Sequence, residues 1–224
     1  GGIPTTIDAQ VINDPTNRVV PGLYAAGECA CVSVHGANRL GTNSLVDIIV
    51  FGSRGGRHLA HWASKADHPP LPSDPEHPSQ DWLGRLMLNV GGESVARIRE
   101  DVQRVMMDHV SVFRAEGGLK EALATITQLR RRFQRVDLHD KGLRFNTEVE
   151  EAVELGCVLD LAWVTAVAAL ARQESRGAHC REDFPTRDDA NWLKHSLAYL
   201  EGDHIRLDYK PVTITRLPPQ PRAY

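Results

Sequence analysis

The sequence predicts an α/β chain: a strand, loop and helix over residues 1–64, a three-helix bundle domain over 91–172 and an extended β tail over 173–224. Three observations carry this expectation. Runs rich in Thr, Ile and Val give way to a Gly-rich loop and then to apolar residues at helical spacing. Three more helical-period runs follow a Pro-rich stretch. Near the end, prolines again interrupt extended segments.

Residues 3–12 alternate loosely, and Asn13-Asp14-Pro15-Thr16-Asn17 is a cluster of turn formers before Val19-Val20-Pro21-Gly22-Leu23-Tyr24-Ala25-Ala26-Gly27, which reads as a short buried strand. A Gly-rich loop runs from Glu28 to Asn43. Leu45, Ile48, Ile49, Leu59 and Trp62 then recur at helical spacing, with Asn43 or Ser44 as the expected N-cap. Gly52, Gly55 and Gly56 each cost a helix about 1 kcal/mol relative to Ala, so this helix is expected to pack closely against another backbone or a ligand. Five prolines between Lys65 and Asp81, without apolar periodicity, predict a linker, taken as residues 65–90. Val95, Ile98, Val102, Val105 and Met106 form the next helical run. Leu119, Leu123, Ile126, Leu129 and Phe133 form another after Gly117-Gly118, and Val149 to Leu170 a third. In the tail, Leu193–Leu200 and Ile205–Thr215 flank Glu201-Gly202-Asp203, which predicts a hairpin.

With 42% hydrophobic and 25% charged residues, the 224-residue chain is neither collagen-like, wholly disordered nor a disulfide scaffold. Twenty-six Lys and Arg against 29 Asp and Glu leave a net charge of −3, so no overall basic field argues for nucleic acid or an anionic membrane. The longest apolar stretch, Cys157–Ala171, contains Asp160 and Thr165 and falls short of the ~20 residues a membrane-spanning helix needs. Cys29, Cys31, Cys157 and Cys180 show no C-x-x-C spacing, which favours a reducing compartment. Gly1-Gly2-Ile3-Pro4 lacks an initiator Met and the features of a signal peptide, so the chain reads as starting within a longer polypeptide.

Two features carry candidate chemistry. Gly27-Glu28 puts an acid after an apolar strand, where it either accepts hydrogen bonds from sugar-type hydroxyls or is simply solvated. In His35-Gly36-Ala37-Asn38-Arg39-Leu40-Gly41-Thr42-Asn43-Ser44-Leu45, an arginine lies between two glycines just before a helix. Its planar fork of donors suits a carboxylate, and the helix N-terminus favours an anion. The alternative is a turn whose arginine pairs with a nearby Asp. His58 and His61 have metal-binding spacing but no evident third ligand among His68 and His77. Arg130, Arg131, Arg132 and Arg135 read as a solvated face or a protein contact, because a single aromatic, Phe133, is too little stacking surface for a nucleic-acid site.

The run from Pro21 to Glu28, followed by Ser33 to Leu45, closely resembles the flavoprotein subunit of succinate dehydrogenase and fumarate reductase. Ser175-Arg176-Gly177-Ala178-His179, Arg181-Glu182-Asp183-Phe184-Pro185, Arg187-Asp188-Asp189 and Asn191-Trp192 look like the same family's C-terminal signature. The closing Pro-Pro-x-Pro-Arg-x-Tyr resembles its end. The resemblance spans essentially the whole chain but only the later part of a family subunit. It implies that residues 1–64 are the C-terminal portion of an FAD-binding Rossmann-like domain. The N-terminal dinucleotide turn, the capping domain, the proton-shuttle Arg and the substrate His would lie outside this chain, so the chain alone is expected to be inactive.

By that resemblance, Glu28 binds hydroxyls of FAD, Asn43, Ser44 and Leu45 meet the isoalloxazine edge, and Arg39 clamps a substrate carboxylate. Succinate would lose a hydride from one methylene to the flavin and a proton from the other. A monovalent cation near Gly1, Gly2 and Glu28 is a further family feature. The implied partners are the rest of the flavoprotein, an iron-sulfur subunit and membrane anchor subunits, with iron-sulfur clusters and haem or quinone confined to them, and no nucleic acid. The implied place is peripheral, on the cytoplasmic face of a bacterial inner membrane or the matrix face of a mitochondrial one. Fumarate reductase and L-aspartate oxidase flavoproteins are the catalytic alternatives, and a non-catalytic interaction module is the alternative of another class. Arg176 and His179 are expected to form a structural corner, and Cys29 and Cys31 to be small buried hydrophobes.

Overall fold

In the computed structural model, residues 1–36, 39, 41–142 and 144–220 are described. Ala37, Asn38 and Leu40 of the Gly-flanked loop, and the last four residues of the closing proline motif, lie outside the described residues. The chain divides into two units: Gly1–Asp67 with Arg176–Ala178 and the chain from Arg187 onward, and His68–Ser175 with His179–Thr186.

The first unit begins with β1 (Ile3–Pro4), β2 (Gln10–Ile12) and β3 (Val19–Tyr24). β2 and β3 form an antiparallel pair, closed by Asp14, whose Oδ1 accepts hydrogen bonds from the backbone of Thr16 and Arg18 and from the Thr16 hydroxyl. This side-chain mimicry of a turn is why Asn and Asp cluster there. β3 is half-buried to exposed rather than buried as expected. β4 (Ala30–Cys31) pairs in parallel with β1, after a single 3-10 turn over Gly27–Cys29. α1 (Asn43–Ala63) is preceded by Thr42 as N-cap, in the left-handed conformation with φ 69° and no side-chain cap hydrogen bond, so neither Asn43 nor Ser44 has that role.

The expectation of a closely packed α1 holds at one glycine only. A methyl group at Gly55 would lie 2.6 Å from Ala9 Cβ, whereas Gly52 and Gly56 have nothing within 4 Å. Arg54 reinforces the Gly55 contact by donating to the Ile7 carbonyl at 3.0 Å and to Asp8 at 2.8 Å. Leu45, Val46 and Ile49 are exposed, and the only buried residues of α1 are Asp47 and Gly55. Periodicity marks an apolar face but not whether this chain supplies the surface that covers it. The unit ends in α6 (Asp189–Trp192), β7 (Lys194–Glu201) and β8 (His204–Pro211), with β7 and β8 antiparallel from Lys194↔Pro211 to Glu201↔His204. Gly202, at φ 61°, makes the turn. The Ser33 hydroxyl and His195 Nε2, 2.7 Å apart, connect β7 to the start of the Gly-rich loop.

The second unit is helical: α2 (His77–Leu88), α3 (Val95–His109), α4 (Glu116–Phe133) and α5 (Thr147–Ala171), with β5 (Phe113–Arg114) and β6 (Cys180–Arg181) paired in parallel. α2 falls inside the stretch expected to be a linker. Pro78 sits in its first turn, where a missing N–H costs no helical hydrogen bond, and Trp82, Leu83, Leu86 and Met87 then pack on the core. The break between α3 and α4 lies at Val110–Ala115, not at Gly117-Gly118, which belongs to the first turn of α4. At Gly118 a methyl group would lie 3.0 Å from His109 Nδ1, so the glycine serves a close approach rather than a turn.

Ile98 of α3, Leu119, Ile126 and Leu129 of α4, and Leu155 and Leu159 of α5 are fully buried together. α5 extends the 15-residue apolar stretch to 25 residues, long and apolar enough to cross a membrane by length and composition. Here Ala152, Leu155, Leu159, Ala162, Ala166 and Ala169 form a buried stripe at three- and four-residue spacing, and α5 packs on α3 and α4. Two members of the basic run meet acids: Arg130 pairs with Asp160 at 2.9 Å over the Trp163 ring, and Arg132 pairs with Glu93 and Asp101, while Arg131 and Arg135 are exposed.

Candidate active site

The Gly-rich loop and the start of α1 bring three of the predicted site residues into contact. Gly27, with φ 78°, turns the chain after β3 so that Glu28 stands beside α1. Glu28 Oε2 accepts a hydrogen bond from Arg39 Nη1 at 3.1 Å and lies 3.4 Å from the Ser44 hydroxyl, which itself accepts from Arg39 Nη1 at 3.1 Å. Arg39 Nη2 reaches the Gly27 carbonyl at 3.5 Å. The alternative reading of the loop, an arginine paired with a nearby Asp, is met only in part: the acid hydrogen-bonded to Arg39 is Glu28, and the nearby aspartate, Asp47, lies 3.9 Å away.

Asn43, Ser44 and Leu45 are the first three residues of α1, and among the described residues no side chain caps their N–H groups. Those donors and the positive end of the helix dipole form an anion-favouring patch next to Arg39. The Glu28 side chain is 84% exposed and offers an acceptor for hydroxyl groups. Acceptor, guanidinium and uncapped N–H groups together suit a cofactor with hydroxyls and an electron-rich ring edge. Gly2, at φ 132°, packs on the Cys29 carbonyl, from which a methyl group there would be 2.7 Å away, while Gly1 has nothing within 4 Å.

Sequence reasoning missed two members of this cluster. Asp47 is buried on α1, and its Oδ2 accepts from His35 Nε2 at 2.6 Å while its Oδ1 lies 3.9 Å from Arg39 Nη2. The available signal was an acid three residues after Ser44, on the same face of a helix whose remaining spacing is apolar. His58 Nδ1 is hydrogen-bonded to the Tyr24 hydroxyl at 2.7 Å, and among the described residues no group of three or more potential metal ligands forms. Cys29 is exposed and Cys31 half-buried, against the expectation that they are buried.

The second motif builds corners within each unit. Arg176 donates to Asp189 at 2.7 Å in the first unit. In the helical unit, His179 Nδ1 lies 2.6 Å from Arg114 Nη1, and its Nε2 lies 3.1 Å from the Arg172 carbonyl. Arginine has only donors, so Nδ1 accepts and Nε2–H donates, which requires a neutral ring. Burial, with Arg114, Arg172 and Arg181 nearby, pushes the His179 pKa below the ordinary histidine value. A depressed value means stability that is complete above the unfolded pKa of about 6.5 and is lost as pH falls through the folded value. Amide protection of the last turn of α5, corrected for intrinsic exchange, should therefore decline from pH 7.5 to pH 5, and less steeply in His179→Gln. Equal declines in the two proteins would remove His179 as the cause.

Residues 1–45 match the family model described as FAD binding domain, which defines the class: the glycine turn, the acid and the uncapped helix belong to a flavoprotein. Residues 99–224 match the model described as fumarate reductase flavoprotein C-term. The succinate dehydrogenase flavoprotein subunit of Rickettsia felis is 44% identical over 236 residues, covering 100% of this chain and 40% of that protein. The fumarate reductase flavoprotein subunit of Mycobacterium tuberculosis is 41% identical over 233 residues, covering 100% of this chain and 39% of that protein. Among solved structures, a mutant E. coli quinol fumarate reductase FrdA superposes with a TM-score of 0.90 at 37% identity, covering 100% of this chain and 38% of that one. The chain belongs to the succinate dehydrogenase and fumarate reductase flavoprotein family. It spans about 40% of the length of the curated relatives it matches.

Proposed function

We propose that this chain is part of the flavoprotein subunit of a succinate dehydrogenase, which oxidises succinate to fumarate with FAD. Electrons pass on through an iron-sulfur subunit to quinone, and membrane anchor subunits hold the assembly at the cytoplasmic face of a bacterial inner membrane or its mitochondrial counterpart. The observation that carries this reading is the placement of Arg39, held by Ser44 and Glu28 at the uncapped N-terminus of α1. Relatives of both names match at nearly equal identity, so the direction of the reaction is part of the proposal.

FAD, when bound, supplies the two-electron acceptor. Glu28 accepts hydrogen bonds from its hydroxyls, and the first-turn N–H groups at Asn43, Ser44 and Leu45 meet the electron-rich edge of the ring. Arg39 grips one carboxylate of the substrate with two parallel N–H donors, which fixes the orientation of the reacting carbons and compensates the substrate's charge. Gly1, Gly2 and Glu28 are the place for a monovalent cation.

The test is an intact-mass and absorbance measurement on the native polypeptide. A mass well above 24.8 kDa with flavin retained, and bleaching of that flavin on addition of succinate, is the expected result. A protein of 24.8 kDa without flavin would turn the reading toward an interaction module.

A further inference from the structure

We propose that Asp47, held from behind by His35, is the positioning group that sets the direction of the Arg39 guanidinium. The inference rests on the reading of Arg39 as the carboxylate clamp. Arg39 lies in a loop outside helix and strand, so its direction must come from its partners. Two carboxylates face it. Glu28 meets Nη1 at 3.1 Å but its side chain is 84% exposed, whereas Asp47 faces Nη2 at 3.9 Å with 4% exposure. Water competes for an exposed carboxylate and leaves it little orienting power, while a buried one acts through a lower dielectric and keeps its direction.

Asp47 is also fixed in place. It sits three residues after Ser44, so one face of the first turns of α1 presents the Ser44 hydroxyl to Nη1 and the Asp47 carboxylate to Nη2. A buried carboxylate requires hydrogen-bond donors, and His35 supplies one at 2.6 Å to the oxygen that Arg39 does not face. His35 and Arg39 are four residues apart in the same loop, so a single helical carboxylate gathers both. Glu28 is assigned to cofactor hydroxyls in the proposed function, which leaves Asp47 as the carboxylate that holds the guanidinium, beside the neutral Ser44 hydroxyl and Gly27 carbonyl, while substrate is bound.

The test uses the full-length, flavin-loaded protein and malonate. This dicarboxylate has only one carbon between its carboxylates and cannot be dehydrogenated, and its binding is followed by flavin difference absorbance. Asp47→Asn, normalised to bound flavin, is expected to weaken malonate about tenfold, the range seen when a partner that orients a binding group is removed. Arg39→Lys should weaken malonate further, and adding Asp47→Asn to it should have little additional effect, because a positioning group acts only through the group it positions. His35→Ala should weaken malonate, and His35→Gln, whose amide can still donate to Asp47, should restore part of the loss.

Unchanged malonate affinity in flavin-loaded Asp47→Asn, with Arg39→Lys impaired, overturns the positioning role alone. Unchanged affinity in Arg39→Lys overturns the clamp and this inference with it. If Asp47→Asn does not fold, the His35 pair decides: weaker binding in Ala than in Gln supports the role, and equal binding overturns it.

Discussion

Arg39→Lys, made in the full-length protein and assayed with flavin bound, is expected to weaken succinate binding about 100-fold while flavin content stays near that of the parent. Lysine keeps the charge but not the fork. The guanidinium uses Nη1 on Ser44 and Glu28 at 3.1 Å and turns Nη2 toward Gly27 and Asp47, so its plane is set before substrate arrives. A single ammonium cannot meet that network and also offer a carboxylate two parallel donors. Charge-assisted hydrogen bonds contribute about 1.5–3 kcal/mol each, and losing one of the two prongs, together with the orientation it imposes, corresponds to about 2.7 kcal/mol, or two powers of ten. A succinate affinity equal to the parent's, with flavin bound, would refute Arg39 as the clamp.

Much of this site is legible in the sequence because its parts are local. Gly27 before Glu28 announces the left-handed turn that the structure places there, and the start of α1 follows from the spacing after Ser44. The order of elements in the helical unit is legible for the same reason, since α3, α4 and α5 each show a period of three and four. Asp47 was not legible as a site residue because a carboxylate on an apolar helix face has no local signature of its partners. His35 and Arg39 reach it only once the loop has folded back on α1. α2 was missed because five prolines within 17 residues read as a continuous breaker, although Pro78 stands where a helix tolerates it. The coverage of α1 is not legible because the apolar spacing around Leu45 and Ile49 does not state which surface meets it.

The second large effect is expected far from the loop, at Arg181. This side chain is 1% exposed, and its Nη1 donates to the carbonyls of Ala169, Leu170 and Arg172 at 2.9–3.2 Å, so it caps the C-terminal end of α5. Its Nε and Nη2 form a two-pronged pair with Asp183 at 2.7 and 2.8 Å. Asp183 also accepts from the Glu116 N–H at 3.0 Å, the first N–H of α4, whose N-cap Ala115 has no side chain to do so. A cation at a helix C-terminus and an anion at a helix N-terminus both oppose the local dipole charge, and here the two are bonded to each other. Arg181→Met keeps the volume but removes the guanidinium from Asp183 and the side-chain donor from the Ala169 and Leu170 carbonyls, while the Arg172 carbonyl keeps His179. Arg181 is buried but the Asp183 side chain is 30% exposed, so water offsets part of the cost of breaking the pair, and the remaining loss should appear as a lower denaturation midpoint of the helical unit. Adding Asp183→Asn to Arg181→Met should recover part of it, because the stranded charge is gone. The Arg181 hydrogen bonds also hold the Asp183 carboxyl down at about 2. Its stabilising effect is therefore complete above the unfolded value of about 3.9 and is lost as pH falls toward the folded one. The parent should lose stability across that window, and Arg181→Met should lose less. If Arg181→Met unfolds at the parent's midpoint, the pair does not tie the end of α5 to the start of α4.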